Sequence, residues 1–195
     1  MKRILLLMTI LAVSVVSTAC ISNFAIKELN NKAQDYLNSG DVDSAICRLK
    51  SSLDLDSELY ETHYNLGVAY LAADNQEDAI SAFTRVIELK PDYNDAYYSL
   101  GVANASVAYK LLEKEQTEGL SAEENQKLDY ALNEAVDKFN RYIANVPKAD
   151  NAEDIKNQIE QLSGILKERA EKSGAGVQNE DDDEDFSDIE ETEEE

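Results

Sequence analysis

The chain has 195 residues, room for one ordinary domain with tails rather than two large ones. Its 18 Lys and Arg stand against 40 Asp and Glu, a formal charge of −22 that repels nucleic-acid phosphates and argues against DNA or RNA as partners. Seven Gly, two Pro and no Trp, among abundant Ala, Leu, Glu, Asp and Lys, predict an all-α protein and argue against a sandwich or barrel of short strands.

Residues 1–19 read as an export signal: Lys2 and Arg3, an apolar run from Ile4 to Val16, then Ser17, Thr18 and Ala19 before Cys20. The uninterrupted run is shorter than the ~20 apolar residues a spanning helix wants. The residues alone leave three readings open: a cleaved signal with Cys20 a plain residue, a retained membrane anchor, or a lipid attachment site. Ser17-Thr18-Ala19-Cys20 resembles the lipobox of bacterial lipoproteins, with Ser17 where that family prefers leucine. The resemblance implies that Cys20 receives a diacylglycerol group, becomes the amino terminus after cleavage and anchors the chain in the cell envelope. Two or more acyl chains hold stably, because each buried methylene contributes about 0.8 kcal/mol. Ile21 in place of aspartate implies the outer membrane, facing the periplasm. An acylated Cys20 leaves Cys47 without an intramolecular partner and excludes a disulfide framework. Cys47 is then expected to be a quiet, partly exposed thiol on a helix.

Residues 26–59 predict a first helix pair. Ile26, Leu29, Ala33, Tyr36 and Leu37 form one stripe, Ser39-Gly40-Asp41 turns the chain, and Ala45, Leu49 and Leu53 line the return. Residues 60–93 predict a second pair, with Leu66, Gly67, Tyr70, Ala79, Phe83 and Ile87 inward and Pro91 as the stop. A third pair spans 94–147. Tyr97, Leu100, Gly101 and Val102 begin it, and Ala135, Phe139, Tyr142, Ile143 and Pro147 complete it 22 residues late. The intervening 108–129 is an insertion of helical character, broken at TEGLS and restarted by a capping box from Ser121 to Glu124. Two long helices, roughly 94–116 and 122–146, are expected to project beyond the stack. A capping helix over 151–172 follows, with Ile155, Ile159, Leu162 and Leu166 on one face. Gly174-Ala175-Gly176 then releases the chain into a tail over 173–195, whose last 16 residues hold 12 acidic side chains and are expected to stay disordered.

Glycine inside a helix costs about 1 kcal/mol relative to alanine, yet Gly67 and Gly101 recur 34 residues apart, and the same step back reaches Ala33. It also relates Tyr36 to Tyr70, Ala45 to Ala79, Leu49 to Phe83 and Ser57 to Pro91. This pattern resembles the tetratricopeptide repeat, best over 60–93, with His63 where the motif usually has tryptophan. The resemblance implies an α-solenoid of about three antiparallel helix pairs, their backbones closest at Gly67 and Ala79. It also implies a concave groove, made by the first helix of each pair, that receives a segment of another protein. Carried over position by position, the groove is lined by Asn30, Gln34 and Leu37, then Glu61, Tyr64, Val68 and Leu71, then Asp95, Tyr98, Val102 and Ala105. Its centre is aromatic and aliphatic and its rim acidic, which suits a peptide with apolar anchors and basic flanks. The lysine and arginine of the carboxylate-clamp subset, which grips acidic chaperone tails, are missing from these positions.

Catalytic parts are scarce. His63 is the sole histidine, with no Cys, Asp or second His at ligand spacing on its helix. No G-x-S-x-G, Walker or dinucleotide motif occurs, so no enzyme, cofactor or metal site is expected. Two functions follow: a lipid-anchored scaffold or adaptor at the cell envelope, or a periplasmic or surface ligand-binding component of a transport or assembly system. A deep pocket with converging polar groups would favour the second.

Overall fold

The computed structural model describes residues 23–177. Among these there are seven helices and no strand: α1 over 23–39, α2 Val42–Leu55, α3 Tyr60–Ala72, α4 Gln76–Leu89, α5 Asn94–Thr117, α6 Ala122–Asn145 and α7 Ala152–Val177. The readings on 1–22, Cys20 included, and on the tail from 178 onward lie outside the described residues. No helix among the described residues is long and apolar enough to cross a membrane.

Local chemistry sets the boundaries. Asp41 caps α2 by accepting from the Ser44 amide, and Asn75 caps α4 by accepting from that of Asp78. Ser121 and Glu124 close the expected capping box on α6. Gly40 turns at φ +81°, a conformation that costs glycine nothing. Pro91 and Pro147 follow the C-caps Lys90 and Val146, where a missing amide donor is harmless. The last helix departs from expectation. It runs on through Gly174 and Gly176 to Val177, so helix persists where the sequence predicts release.

Consecutive helices pack antiparallel into a solenoid, and its interior explains the recurring glycines. A Cβ on Gly67 would lie 2.6 Å from the Phe83 ring, and one on Gly101 2.7 Å from the Phe139 ring. Each glycine therefore opens a notch that an aromatic ring of the returning helix fills. Both rings are fully buried, so the closer packing offsets the helix penalty. The first pair places buried Ala33 and Leu49 at the same two positions, a larger floor under a smaller plug. Ala45, Ala79 and Ala135 are likewise sealed from solvent.

A polar seam joins the first pair to the second. Asn30 Nδ2 donates to Ser52 Oγ at 2.9 Å and to Thr62 Oγ1 at 3.1 Å, while its Oδ1 accepts from Asn65 Nδ2 at 3.4 Å. Ser52 and Thr62 are buried, so these contacts supply the partners that burial demands.

The insertion does not stand free. Leu128, Ala131 and Leu132 of α6 are buried in one cluster with Val107, Ala108 and Leu162, and Leu111, Leu112 and Leu120 pack against it. On one side Lys110 Nζ reaches Asp74 at 2.7 Å and Lys127 Nζ reaches Glu77 at 2.8 Å, tying the extension to the second pair. On the other, Arg169 of α7 donates to Asp129 at 2.6 Å, Glu115 at 2.9 Å and Asn125 at 2.9 Å. The expected projection is thus a hairpin flanked by its neighbours, because α7 extends far enough to cover it.

Candidate peptide-binding face

The first helices of the pairs carry the candidate residues. On α3 the Tyr64 ring lies 5.6 Å from Phe83 and meets Tyr93 edge-on at 5.2 Å; its hydroxyl accepts from Ser99 Oγ of α5 at 3.3 Å. On α5 the Tyr98 ring lies 6.0 Å from Phe139 and 5.4 Å from Tyr142. Both tyrosines are half-buried, with rings set by packing before any partner arrives. One turn on from Tyr64, Val68 is 38% exposed, uncommon for a large aliphatic on a packed helix, and Leu71 and Val102 are partly exposed.

Charge surrounds these rings. Glu61 and Asp95 are exposed beside them. Burial, with the neighbouring Tyr64 and Asp95, pushes the Tyr93 hydroxyl up. Burial, then Asp95, Tyr98 and Asp150, does the same to Tyr142. Lys90 Nζ sits 4.2 Å above the Tyr60 ring and donates to its hydroxyl at 2.9 Å, a bond that raises the ammonium's pKa.

Two expected lining residues do not serve. Ala105 is 3% exposed, held beneath the surface by the α5–α6 packing. The Asn30 carboxamide is engaged in the polar seam. Gln34 is exposed and donates to Asn38, and Leu37 is partly buried against the first pair's core.

One contributor was missed by sequence reasoning. A cavity of about 330 Å³ is lined by Tyr98 together with Asn151, just before α7, and Asp154, Ile155, Asn157, Gln158 and Gln161 of α7. Lengthening the 34-residue step by the 22-residue insertion carries Tyr98 to Asp154, Val102 to Gln158 and Ala105 to Gln161. The helix read as a cap therefore also adds side chains beside α5, although Glu153, Lys156 and Asn157 stand where Tyr97, Leu100 and Gly101 mark the repeat. The insertion hid it by breaking the period.

Other cavities lie between helix pairs. One of about 440 Å³ is lined by Leu53, His63, Leu66 and Arg85, and its repeat-related counterpart of about 410 Å³ by Ile87, Tyr97, Leu100 and Arg141. His63 lies in the first, its Nε2 2.9 Å from the Ser57 carbonyl oxygen, in a packing role. No group of three or more ligating side chains that could hold a metal occurs among the described residues. Cys47 is free and exposed.

The tetratricopeptide repeat profile matches residues 60–93. No curated protein matches the chain in sequence. Among solved structures, the first such domain of human RPAP3 is 21% identical, with a TM-score of 0.57 over 73% of this chain and 95% of that one. The first domain of Spaghetti (RPAP3) bound to the HSP90 peptide SRMEEVD is 22% identical, with a TM-score of 0.55 over 72% and 92%. The Yersinia enterocolitica type III secretion chaperone SycD, in complex with a peptide of the translocator YopD, is 13% identical, with a TM-score of 0.52 over 74% and 93%. At such identities the likeness shows the fold. Residues 60–93 are a tetratricopeptide repeat, and the described chain is an all-α solenoid of that type.

Proposed function

We propose that this protein is an adaptor that holds a segment of another protein across the α3–α5–α7 face, and that Cys20 anchors it by lipid at the bacterial cell envelope, facing the periplasm from the outer membrane. The observation that carries the binding reading is the row Tyr64, Val68, Tyr98 and Val102. On α3 and on α5 a ring set by packing is followed one turn on by an aliphatic side chain, Val68 being 38% exposed, the kind of surface by which interfaces anchor apolar side chains of a partner. Glu61 and Asp95 at the rim favour a segment with basic flanks and raise its rate of approach. The HSP90 peptide held by Spaghetti, SRMEEVD, carries three acidic residues, and acid at this rim would repel such a ligand. The cavities are open clefts at helix junctions, which favours a polypeptide over an enclosed small molecule. The anchoring reading rests on the lipobox resemblance at Ser17-Thr18-Ala19-Cys20.

Val68→Arg tests the binding reading, since an exposed position accepts the change without unfolding the helix. Crosslinking in the native membrane is expected to recover a defined set of proteins with the parent and to lose it with the variant. An unchanged set places the contact elsewhere. Labelling with a fatty-acid analogue tests the anchor: Cys20→Ser should abolish incorporation, and equal labelling of both chains refutes lipidation.

A further inference from the structure

We infer that the cavity between α5 and α7 receives the side chain of a lysine or arginine in the bound segment and so fixes which end of that segment lies at α7. The inference rests on the binding reading above and deepens it.

The cavity has an aromatic floor, because Tyr98 lines it while its ring packs at a tilt against Tyr142 and Phe139. Asp154 forms one wall, and Asn151, Gln158 and Gln161 supply carboxamides that can hydrogen-bond an ammonium or guanidinium through their oxygens. Asp95 and Asp150 both act to raise the hydroxyl of Tyr142, the ring beside Tyr98, so their negative charge adds to that of Asp154. Among the described residues, none of Asp95, Asp150 and Asp154 takes part in an ion pair, although the chain has ion pairs elsewhere. Other tyrosines are matched internally: Lys90 lies over Tyr60, Lys50 over Tyr70 and Arg141 over Tyr97. No such cation lies over Tyr98 among the described residues. An aromatic face with adjacent unneutralised carboxylates is the chemistry that attracts a cationic side chain.

Repeat register supports a change of partner chemistry at this point. Where α3 presents Tyr64, Val68 and Leu71, α7 presents Asp154, Gln158 and Gln161 at the corresponding positions. The face thus runs from apolar at α3 to acidic and amide-rich at α7. A segment lying along it meets two kinds of surface in a fixed order, which sets its direction.

The test is selection of a phage-displayed library of random 12-residue peptides on the full-length chain, repeated on Asp154→Lys, Glu153→Lys and Val68→Arg. Glu153 shares the first turn of α7 but does not line the cavity, so it controls for net charge and for the charge at the helix start. Enriched peptides are expected to carry apolar anchors and a Lys or Arg at a constant distance on one side. Asp154→Lys is expected to lower recovery of these clones by about tenfold or more while Glu153→Lys leaves it unchanged. Peptides lost on Val68→Arg but lacking the fixed basic position, or keeping it on Asp154→Lys, overturn the inference and leave the binding reading standing. Peptides indifferent to Val68→Arg overturn the binding reading, and the inference with it.

Discussion

In α3–α4 a glycine makes room for Phe83, and in α5–α6 a glycine makes room for Phe139; yet the first of these pairs stops one turn beyond its notch while the second runs on for 22 additional residues. The short pair is held by its apolar seam and by neighbours on either side. The long pair needs fastening past the point where the stack ends, and it obtains this in two ways. Leu128 and Leu132 bury against α5 and α7, lysines of the hairpin bind outward to the second pair, and Arg169 of α7 binds in from the other side. The notch therefore sets how close two helices lie, and the extension shows what keeps them together when the repeat no longer does. A hairpin with an apolar seam and charged outer clasps costs little to lengthen, because each added turn brings its own partner contacts.

The comparison breaks most sharply at Leu128, fully buried in the extension. Leu128→Ala is expected to lower unfolding free energy by about 2–5 kcal/mol in chemical denaturation, whereas an unpacked projection would lose almost nothing. Next comes the notch itself. Gly67→Val forces Phe83 aside and is expected to cost about 1–3 kcal/mol by thermal melting. The double change Gly67→Ala with Phe83→Leu should recover much of the loss of Phe83→Leu combined additively with Gly67→Ala, because the first pair already packs Ala33 with Leu49. A strictly additive double mutant would refute the notch as the organising contact.

A smaller effect is expected at Arg169, whose side chain is 15% exposed and binds two carboxylates. Arg169→Ala should cost about 1–2 kcal/mol and speed hydrogen exchange in the C-terminal half of α7, since bonds to charged groups exceed exposed pairs in strength. Lys127→Ala, an exposed pair on the opposite flank, should cost about 0–1 kcal/mol. The mildest effect is titration of the α5–α6 clasp. The hydrogen bond from Lys114, then those from Ser121, hold the Glu124 carboxyl down at about 2 against an ordinary 4.5. Its ionised form stabilises the fold above the ordinary value, and that contribution is lost as pH falls from about 4.5 towards 2. Glu124→Gln should flatten this part of the acid limb in a pH series of melting curves.

Most of the architecture was legible because it depends on spacing. Ala33, Gly67 and Gly101 mark the repeat, Pro91 and Pro147 mark helix ends, and Ser121 with Glu124 marks the restart after the insertion. What escaped depends on contacts between elements distant in sequence. Nothing local to Arg169 reveals that it meets Glu115 and Asp129, and nothing local to Asn30 shows that Ser52 and Thr62 claim its carboxamide. Ala105 has the right register for the face but lies beneath it, because the lengthened α5 packs along α6 there. The α7 contribution was hidden for a different reason, a period broken by 22 residues, and returns once that offset is added.

The junction at Asn30 also works as a pin. Sliding α1 along its neighbours by one turn, a move that a purely greasy contact would tolerate, takes the Asn30 amide from Ser52 and Thr62 and leaves those hydroxyls only each other at 3.5 Å, the outer limit of a hydrogen bond. The opening helix is consequently given an axial register by one carboxamide, which an apolar stripe alone would not fix.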